Sequence, residues 1–154
     1  MVRIKYFSQK LIQAKTVFLD SMVFIYLLEK NETYFPFVEI IFEQLEKQEI
    51  SAFTSIISPL EVLSTVKLKN DEERTSLYVR FFKEETNLTG VNLDWSVMEK
   101  AADLRRTFGI KTPDSIQLAT AKISKVPLFI TNDESFKKIS RTKDLPEIFL
   151  LSSF

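Results

Sequence analysis

The chain has 154 residues, no net formal charge and 45% hydrophobic residues, a composition typical of a globular protein with one core. It contains no His and no Cys, which excludes disulfides, thiolate nucleophiles, Cys/His zinc sites and any Ser-His-Asp triad. Its two glycines, Gly90 and Gly109, are too few for a glycine-rich phosphate loop. The sequence shows neither a secretory apolar stretch nor an apolar run of roughly 20 residues, so we expect a cytoplasmic protein with no membrane partner.

Short apolar runs and segments of helical periodicity alternate along the chain. The predicted strands are residues 16–19, 50–54, 88–93, 127–130 and 148–151. The predicted helices are residues 22–29, 34–48, about 55–68, 71–85, 95–108, 112–123 and a short 134–139. Residues 1–15 precede the first strand as an extra helix or an arm. This alternation predicts one α/β domain over residues 1–154, a three-layer α/β/α arrangement with a roughly five-stranded parallel sheet.

Side-chain patterns within the helices predict what faces the core. Asp94 is expected to cap the helix over 95–108, and Gly109 to end it. Trp95 and, in the helix over 71–85, Leu77, Phe81 and Phe82 are expected to be buried. The helix over 55–68 should present one broad apolar face formed by Ile56, Ile57, Leu60, Val62, Leu63 and Val66.

Four acidic residues stand close to the predicted ends of strands or early on helices. Asp20 directly follows the first strand, and Asp133 follows the fourth after Thr131 and Asn132. Glu61 lies on the helix after the second strand, and Asp114 lies in the first turn of its helix. In an open parallel sheet the site lies outside the carboxyl ends of the strands, so we expect all four acids to reach one edge.

Each acid also has a purely structural interpretation. Asp20 and Asp133 can cap the segments that follow them, and Glu61 can be a solvated helix residue. Asp114, with Gln117 three residues later, can belong to a capping box. The basic character of residues 1–28 and 100–154, against an acidic 29–99, fits a basic rim for a polyanion but also ordinary charged helix surfaces.

The four acids are more informative as a set. Carboxylates gathered within a few ångströms repel one another unless a cation lies between them or some are protonated. Without His or Cys the side-chain ligands are oxygens, which favours Mg²⁺ or Mn²⁺ and chemistry on phosphate. Such a metal can activate water without a His base, so hydrolysis of nucleic acid stays open to this chain.

The four acids lie in the segments VFLDSMVFIYLLE, TSIISPLEVL, GIKTPDSIQLATAK and LFITNDESF. In order and spacing these segments resemble the four acidic motifs of PIN-domain ribonucleases, in particular the VapC-type toxins of toxin–antitoxin pairs. The resemblance covers about residues 16–151 and implies a five-stranded parallel sheet with helices on both sides. It departs from the family at Met22, where a small polar residue is common, and in the long segment before the first strand.

The resemblance also implies roles. Asp20, Glu61, Asp114 and Asp133 match the acidic quartet that binds Mg²⁺ or Mn²⁺ and performs catalysis, and Ser21 and Thr131 match hydroxyl positions that support it. It implies RNA as the substrate, a homodimer and an antitoxin protein as a partner.

Two other functions remain open. One is an aspartyl-phosphate hydrolase with Asp20 as nucleophile, although Met22 stands where such enzymes carry a second Asp. The other is a non-catalytic PIN-like module that binds RNA or a protein.

Overall fold

The computed structural model describes residues 2–140 and 142–153. Five strands form a single sheet of order β3-β2-β1-β4-β5, and every neighbouring pair is parallel. The strands are β1 (Thr16–Leu19), β2 (Ser51–Ser55), β3 (Leu88–Val91), β4 (Leu128–Thr131) and β5 (Glu147–Leu150). The predicted α/β/α fold class is confirmed, and each strand lies within one or two residues of its predicted position.

Helices precede and connect these strands. They are α1 (Val2–Ala14), α2 (Ser21–Leu28), α3 (Phe35–Glu46), α4 (Ile57–Leu63), α5 (Glu72–Glu84), α6 (Trp95–Phe108) and α7 (Thr112–Ile123). Short 3-10 helices cover Val66–Leu68, Glu134–Ile139 and Leu151–Ser153. Residues 2–14 are thus a helix rather than an extended arm, and its buried Phe7 and Leu11 join the core.

The two faces of the sheet carry separate apolar clusters. Val17 and Leu19 point to the face covered by α1, α2 and α3, whereas Phe18 points to the face covered by α6 and α7. This alternation is the two-residue period of a strand, and helices on both faces explain why all three side chains are fully buried. The carboxyl ends of the central strands, where the acids lie, are therefore fixed by tight packing on both faces of the sheet.

Local capping accounts for the clearest helix boundaries. The Asp94 carboxylate accepts a 2.9 Å hydrogen bond from the Val97 amide at the start of α6. Gly109 ends that helix with φ 66°, a left-handed conformation that favours glycine. Both predictions for this helix are confirmed.

Burial predictions are wrong on three helices. The helix expected over 55–68 stops at Leu63, and Val66 belongs to a separate 3-10 turn. Three members of its expected apolar face are exposed: Ile56 by 44%, Leu60 by 64% and Val66 by 84%.

In α5 Phe81 and Phe82 pack against the core as predicted, but Leu77 is 53% exposed. The buried side chain is its neighbour Tyr78, which lies three and four residues before the two phenylalanines and so shares their helix face. Trp95 is 81% exposed, because the buried face of α6 is formed by Val97, Ala101 and Leu104 and Trp95 lies off that face.

Candidate active site

Asp20 stands where the sheet ladder ends and α2 begins. Its amide donates a 3.0 Å hydrogen bond to the Ile130 carbonyl, which extends the pairing of β1 with β4 by one residue. Its carboxylate accepts from the Ser21 amide at 2.8 Å and from the Thr131 hydroxyl at 2.6 Å. Asp20 is therefore the N-cap of α2, as its structural interpretation predicts, and is also fixed against the end of β4.

Burial changes the acidity of Asp20. The side chain is 4% exposed, and this desolvation raises its pKa from 3.8 to about 7, although the hydrogen bonds from Thr131 and Ser21 lower it. The negative charges of Glu61 and Asp114 raise the pKa further. A buried carboxyl beside two other acids is suited to a site that binds positive charge.

Glu61 is connected to the Asp20 segment through a hydroxyl. It lies on α4, half-buried, and the buried Ser21 hydroxyl donates a hydrogen bond to its carboxylate. The interpretation of Glu61 as a freely solvated helix residue is therefore wrong. Ser21 contacts two of the four acids, through its amide to Asp20 and through its hydroxyl to Glu61.

Asp133 is held by the same threonine that contacts Asp20. The Thr131 hydroxyl oxygen accepts a 3.1 Å hydrogen bond from the Asp133 amide while its proton is donated to Asp20. The Asp133 carboxylate accepts from the Ser135 amide at 2.9 Å, so it also caps the following 3-10 helix, as predicted. Thr131 thus couples the ends of β1 and β4.

Asp114 projects from the first turn of α7 and is half-buried. Burial raises its pKa, and the charges of Asp133 and Glu61 raise it further, whereas Lys111 and the Ser135 hydroxyl lower it. The capping-box interpretation is wrong, because Lys111 occupies the N-cap position and the Gln117 amide bonds elsewhere.

The four acids form a linked region of negative charge. Asp20 interacts electrostatically with Glu61 and Asp114, and Asp114 interacts with Asp133 as well as Glu61. Among the described residues, none of the four is in a salt bridge, and no group of three or more acidic side chains is arranged to hold a metal ion. Lys111 is the basic group that acts on these acids, through Asp114, and it is not within salt-bridge distance. The chemistry of an all-oxygen set suits Mg²⁺, which takes one or two carboxylates directly and others through water.

Further residues that the sequence patterns did not single out support the loop between Thr131 and Asp133. The Asn132 side chain donates to the Tyr26 hydroxyl at 2.8 Å and accepts from the Ser152 amide at 2.7 Å. Its position between two predicted site residues was the available signal. These bonds tie the loop to α2 and to the C-terminal 3-10 helix.

Comparison with known families is consistent with this geometry. The sequence model of the PIN domain matches residues 17–142, which is most of the chain and includes all four acids. The chain belongs to the PIN-domain family. No curated protein sequence matches this PIN domain significantly.

Three solved structures share this fold. A toxin–antitoxin complex from Klebsiella pneumoniae has a chain with 21% identity and TM-score 0.61, covering 88% of this PIN domain and 97% of the matched chain. VapBC2 from Rickettsia felis, bound to a promoter DNA fragment, gives 15% identity, TM-score 0.63 and coverage of 88% and 98%. FitAcB from Neisseria gonorrhoeae gives 19% identity, TM-score 0.61 and coverage of 90% and 99%. At these identities the likeness establishes the shared fold.

The helices were also compared with the requirements of a membrane span. Within residues 2–140 and 142–153, no helix is both long enough and apolar enough to cross a bilayer.

Proposed function

We propose that this PIN domain is a metal-dependent endoribonuclease that hydrolyses RNA phosphodiester bonds at the carboxyl edge of its sheet. The observation that carries the proposal is the electrostatic linkage of Asp20, Glu61, Asp114 and Asp133 with no salt bridge to any of them in the described part of the chain. Carboxylates held together in this way favour a bound divalent cation.

The four acids have different proposed roles in binding the metal ion. Asp20 and Asp133 are the proposed direct ligands, because both leave the ends of central strands and share Thr131. Glu61 and Asp114 contribute directly or through water. When bound, Mg²⁺ or Mn²⁺ supplies positive charge that acidifies water and offsets the charge developing on a phosphodiester.

The hydroxyl groups hold the acids in place. Thr131 donates to Asp20, which leaves the other lone pairs of that carboxylate for a cation. Ser21 donates to one oxygen of Glu61, and the second oxygen stays available. These bonds fix the carboxylates before substrate arrives, which lowers the reorganisation needed during catalysis.

The proposed biological setting is that of a toxin–antitoxin pair. Toxin–antitoxin complexes are among the structures with this fold, which supports a VapC-like toxin with an antitoxin as partner. The proposal includes a homodimer and action in the cytoplasm, where RNA is the substrate.

The test is cleavage of end-labelled RNA by purified protein with Mn²⁺, Mg²⁺ or a chelator. Asp20→Asn and Asp114→Asn are each expected to reduce cleavage at least about 100-fold, because each removes charge that neutralises a cation. Asp144→Asn is the matched control: Asp144 is exposed and its left-handed backbone, φ 68°, suits Asn. Undiminished cleavage in both site variants would contradict the nuclease assignment.

One observation favours the alternative of a non-catalytic RNA- or protein-binding module. Among the described residues, no group of three or more acidic side chains is arranged to hold a metal ion. Calorimetric titration with Mn²⁺ separates the two functions: a nuclease site binds the ion in a manner that depends on Asp20, whereas a non-catalytic module shows no such binding.

A further inference from the structure

A buried chain of hydrogen bonds runs beneath the acidic edge. The Gln117 amide nitrogen donates to the Ser58 hydroxyl at 2.9 Å, Ser58 and Thr54 hydroxyls lie 2.7 Å apart, and Thr54 donates to the Leu19 carbonyl at 2.7 Å. The side chains of Thr54, Ser58 and Gln117 are at most 1% exposed.

The hydrogen bonds in this series can be donated in one order only. A hydroxyl has one proton, and Thr54 uses its own on the Leu19 carbonyl. Ser58 must therefore donate to Thr54, and its oxygen accepts from Gln117. Every hydroxyl is used as both donor and acceptor, so the chain has one arrangement and holds its members at fixed spacing.

Each end and the middle of the chain lie next to an acid. Leu19 directly precedes Asp20. Ser58 lies three residues before Glu61 on α4, and Gln117 lies three residues after Asp114 on α7. Residues three apart lie on neighbouring positions of one helix face, so each bond holds the turn that carries an acid.

The structure retains these polar groups at a cost. The Gln117 Oε1 atom is buried and has no hydrogen-bond partner among the described residues. An unpaired buried carbonyl lowers stability, and an apolar side chain of similar length avoids this penalty. A glutamine at this position is therefore better explained by what its amide nitrogen holds than by packing.

We propose that Thr54, Ser58 and Gln117 are positioning residues that set the spacing of Asp20, Glu61 and Asp114. This inference rests on the proposed metal-dependent function and deepens it, since it assigns three residues other than the four acids and the supporting Ser21 and Thr131. The three residues act through backbone and hydrogen bonds and do not touch the metal.

A pair of Thr54 variants separates positioning from packing. Val has nearly the shape of Thr without its hydroxyl, whereas Ser keeps the hydroxyl and loses the methyl group. Thr54→Val is expected to weaken Mn²⁺ binding, measured by calorimetry, about tenfold, a typical effect of losing an outer support of a metal site. Thr54→Ser is expected to bind within about twofold of the wild type, because it preserves both hydrogen bonds. Equal affinity in Thr54→Val and wild type, or an equal loss in both variants, would overturn the proposal.

Gln117→Met provides a second route if Thr54→Val does not fold. It removes the unpaired oxygen, which favours the folded state, and the donor to Ser58, which opposes it, so urea unfolding should show little change in stability. Mn²⁺ affinity should nevertheless fall about tenfold. A variant that is as stable as the wild type and binds Mn²⁺ equally well would contradict the positioning role.

Hydrogen exchange without metal keeps this proposal separate from the proposed function. Amide exchange at Asp20 and Val23, whose N–H groups bond to Ile130 and Asp20 carbonyls, is expected to be faster in Thr54→Val than in Thr54→Ser. If the wild type binds no Mn²⁺, the proposed nuclease function fails. The exchange rates then decide by themselves whether the buried hydrogen bonds hold the segment around Asp20. Identical rates in the two variants would then refute it.

Discussion

The centre of the sheet and its β3 edge are packed very differently. In β1 and β4 every residue from 17 to 19 and from 128 to 131 is buried, and the Phe18 and Phe129 rings stack at 5.2 Å. At the opposite extreme, Thr89 and Gly90 of β3 are exposed. A cavity of about 230 Å³ lies beside β3, between α4 and α5. Its lining includes Ile56, Pro59, Leu63, Phe82, Leu88 and Gly90.

The acids of the candidate site come from both the tightly packed and the loosely packed region. Asp20 and Asp133 leave the packed central strands, so their positions depend on the rigid part of the fold. Glu61 lies on α4, between Ser58, which is anchored in the core, and Leu63, which borders the cavity. A site built across this boundary needs extra bonds to hold Glu61, and Ser21 supplies one of them.

The largest expected effect comes from removing a ring at the centre. Phe129→Ala should lower the free energy of unfolding by about 3–5 kcal/mol, because the fully buried ring contacts Phe18 and Phe136. Phe82→Ala at the cavity is the comparison and should cost less, since that ring is only partly buried. Urea unfolding measures both, and equal losses would contradict the difference in packing.

The next largest effect concerns Asp20, the buried acid that follows the central strand β1. The folded protein keeps a proton on Asp20 up to about pH 7, whereas the unfolded chain releases it near 3.8. Between these values the folded state binds more protons, so stability of the metal-free protein falls as pH rises. Asp20→Asn removes the contribution of this group and should raise stability at pH 8 by on the order of 4 kcal/mol, since the pKa differs by about 3 units at about 1.4 kcal/mol each.

The comparison at low pH serves as the control for that variant. Near pH 4 both proteins carry a neutral side chain at position 20, so their unfolding free energies should converge. A smaller dependence of the same sign should remain in Asp20→Asn, because burial also raises the pKa of Asp114. A wild-type protein whose stability rises between pH 4 and 7 would show that Asp20 is ionised in the folded state.

Much of this frame could be predicted from local patterns. Short apolar runs located all five strands, and the rule that sites lie at the carboxyl ends of parallel strands brought Asp20 and Asp133 to one edge. Capping chemistry located both ends of α6, because the Asp94 and Gly109 signals depend on neighbouring residues only.

Features that depend on distant contacts could not be predicted. Gln117 is compatible with a capping box in sequence, yet it bonds to Ser58, which is 59 residues away. Leu77 and Tyr78 are adjacent and both apolar, so only the packing of α5 decides which one is buried. The metal-binding role of the four acids stays a prediction, since it depends on side-chain positions that no local pattern specifies.

The smallest effect tests the loosely packed edge itself. A Cβ atom added at Gly90 would meet the Ile56 Cδ1 atom at 3.9 Å, which is ordinary van der Waals contact beside the cavity. Gly90→Ala should therefore raise the free energy of unfolding by about 0.4–1 kcal/mol, mainly because alanine restricts the unfolded chain. Gly109→Ala is the matched control and should lose about 1–2 kcal/mol, because its φ of 66° is unfavourable for a residue with a side chain. Urea unfolding that shows Gly90→Ala to be destabilising would mean that the β3 edge is as tightly packed as the centre of the sheet.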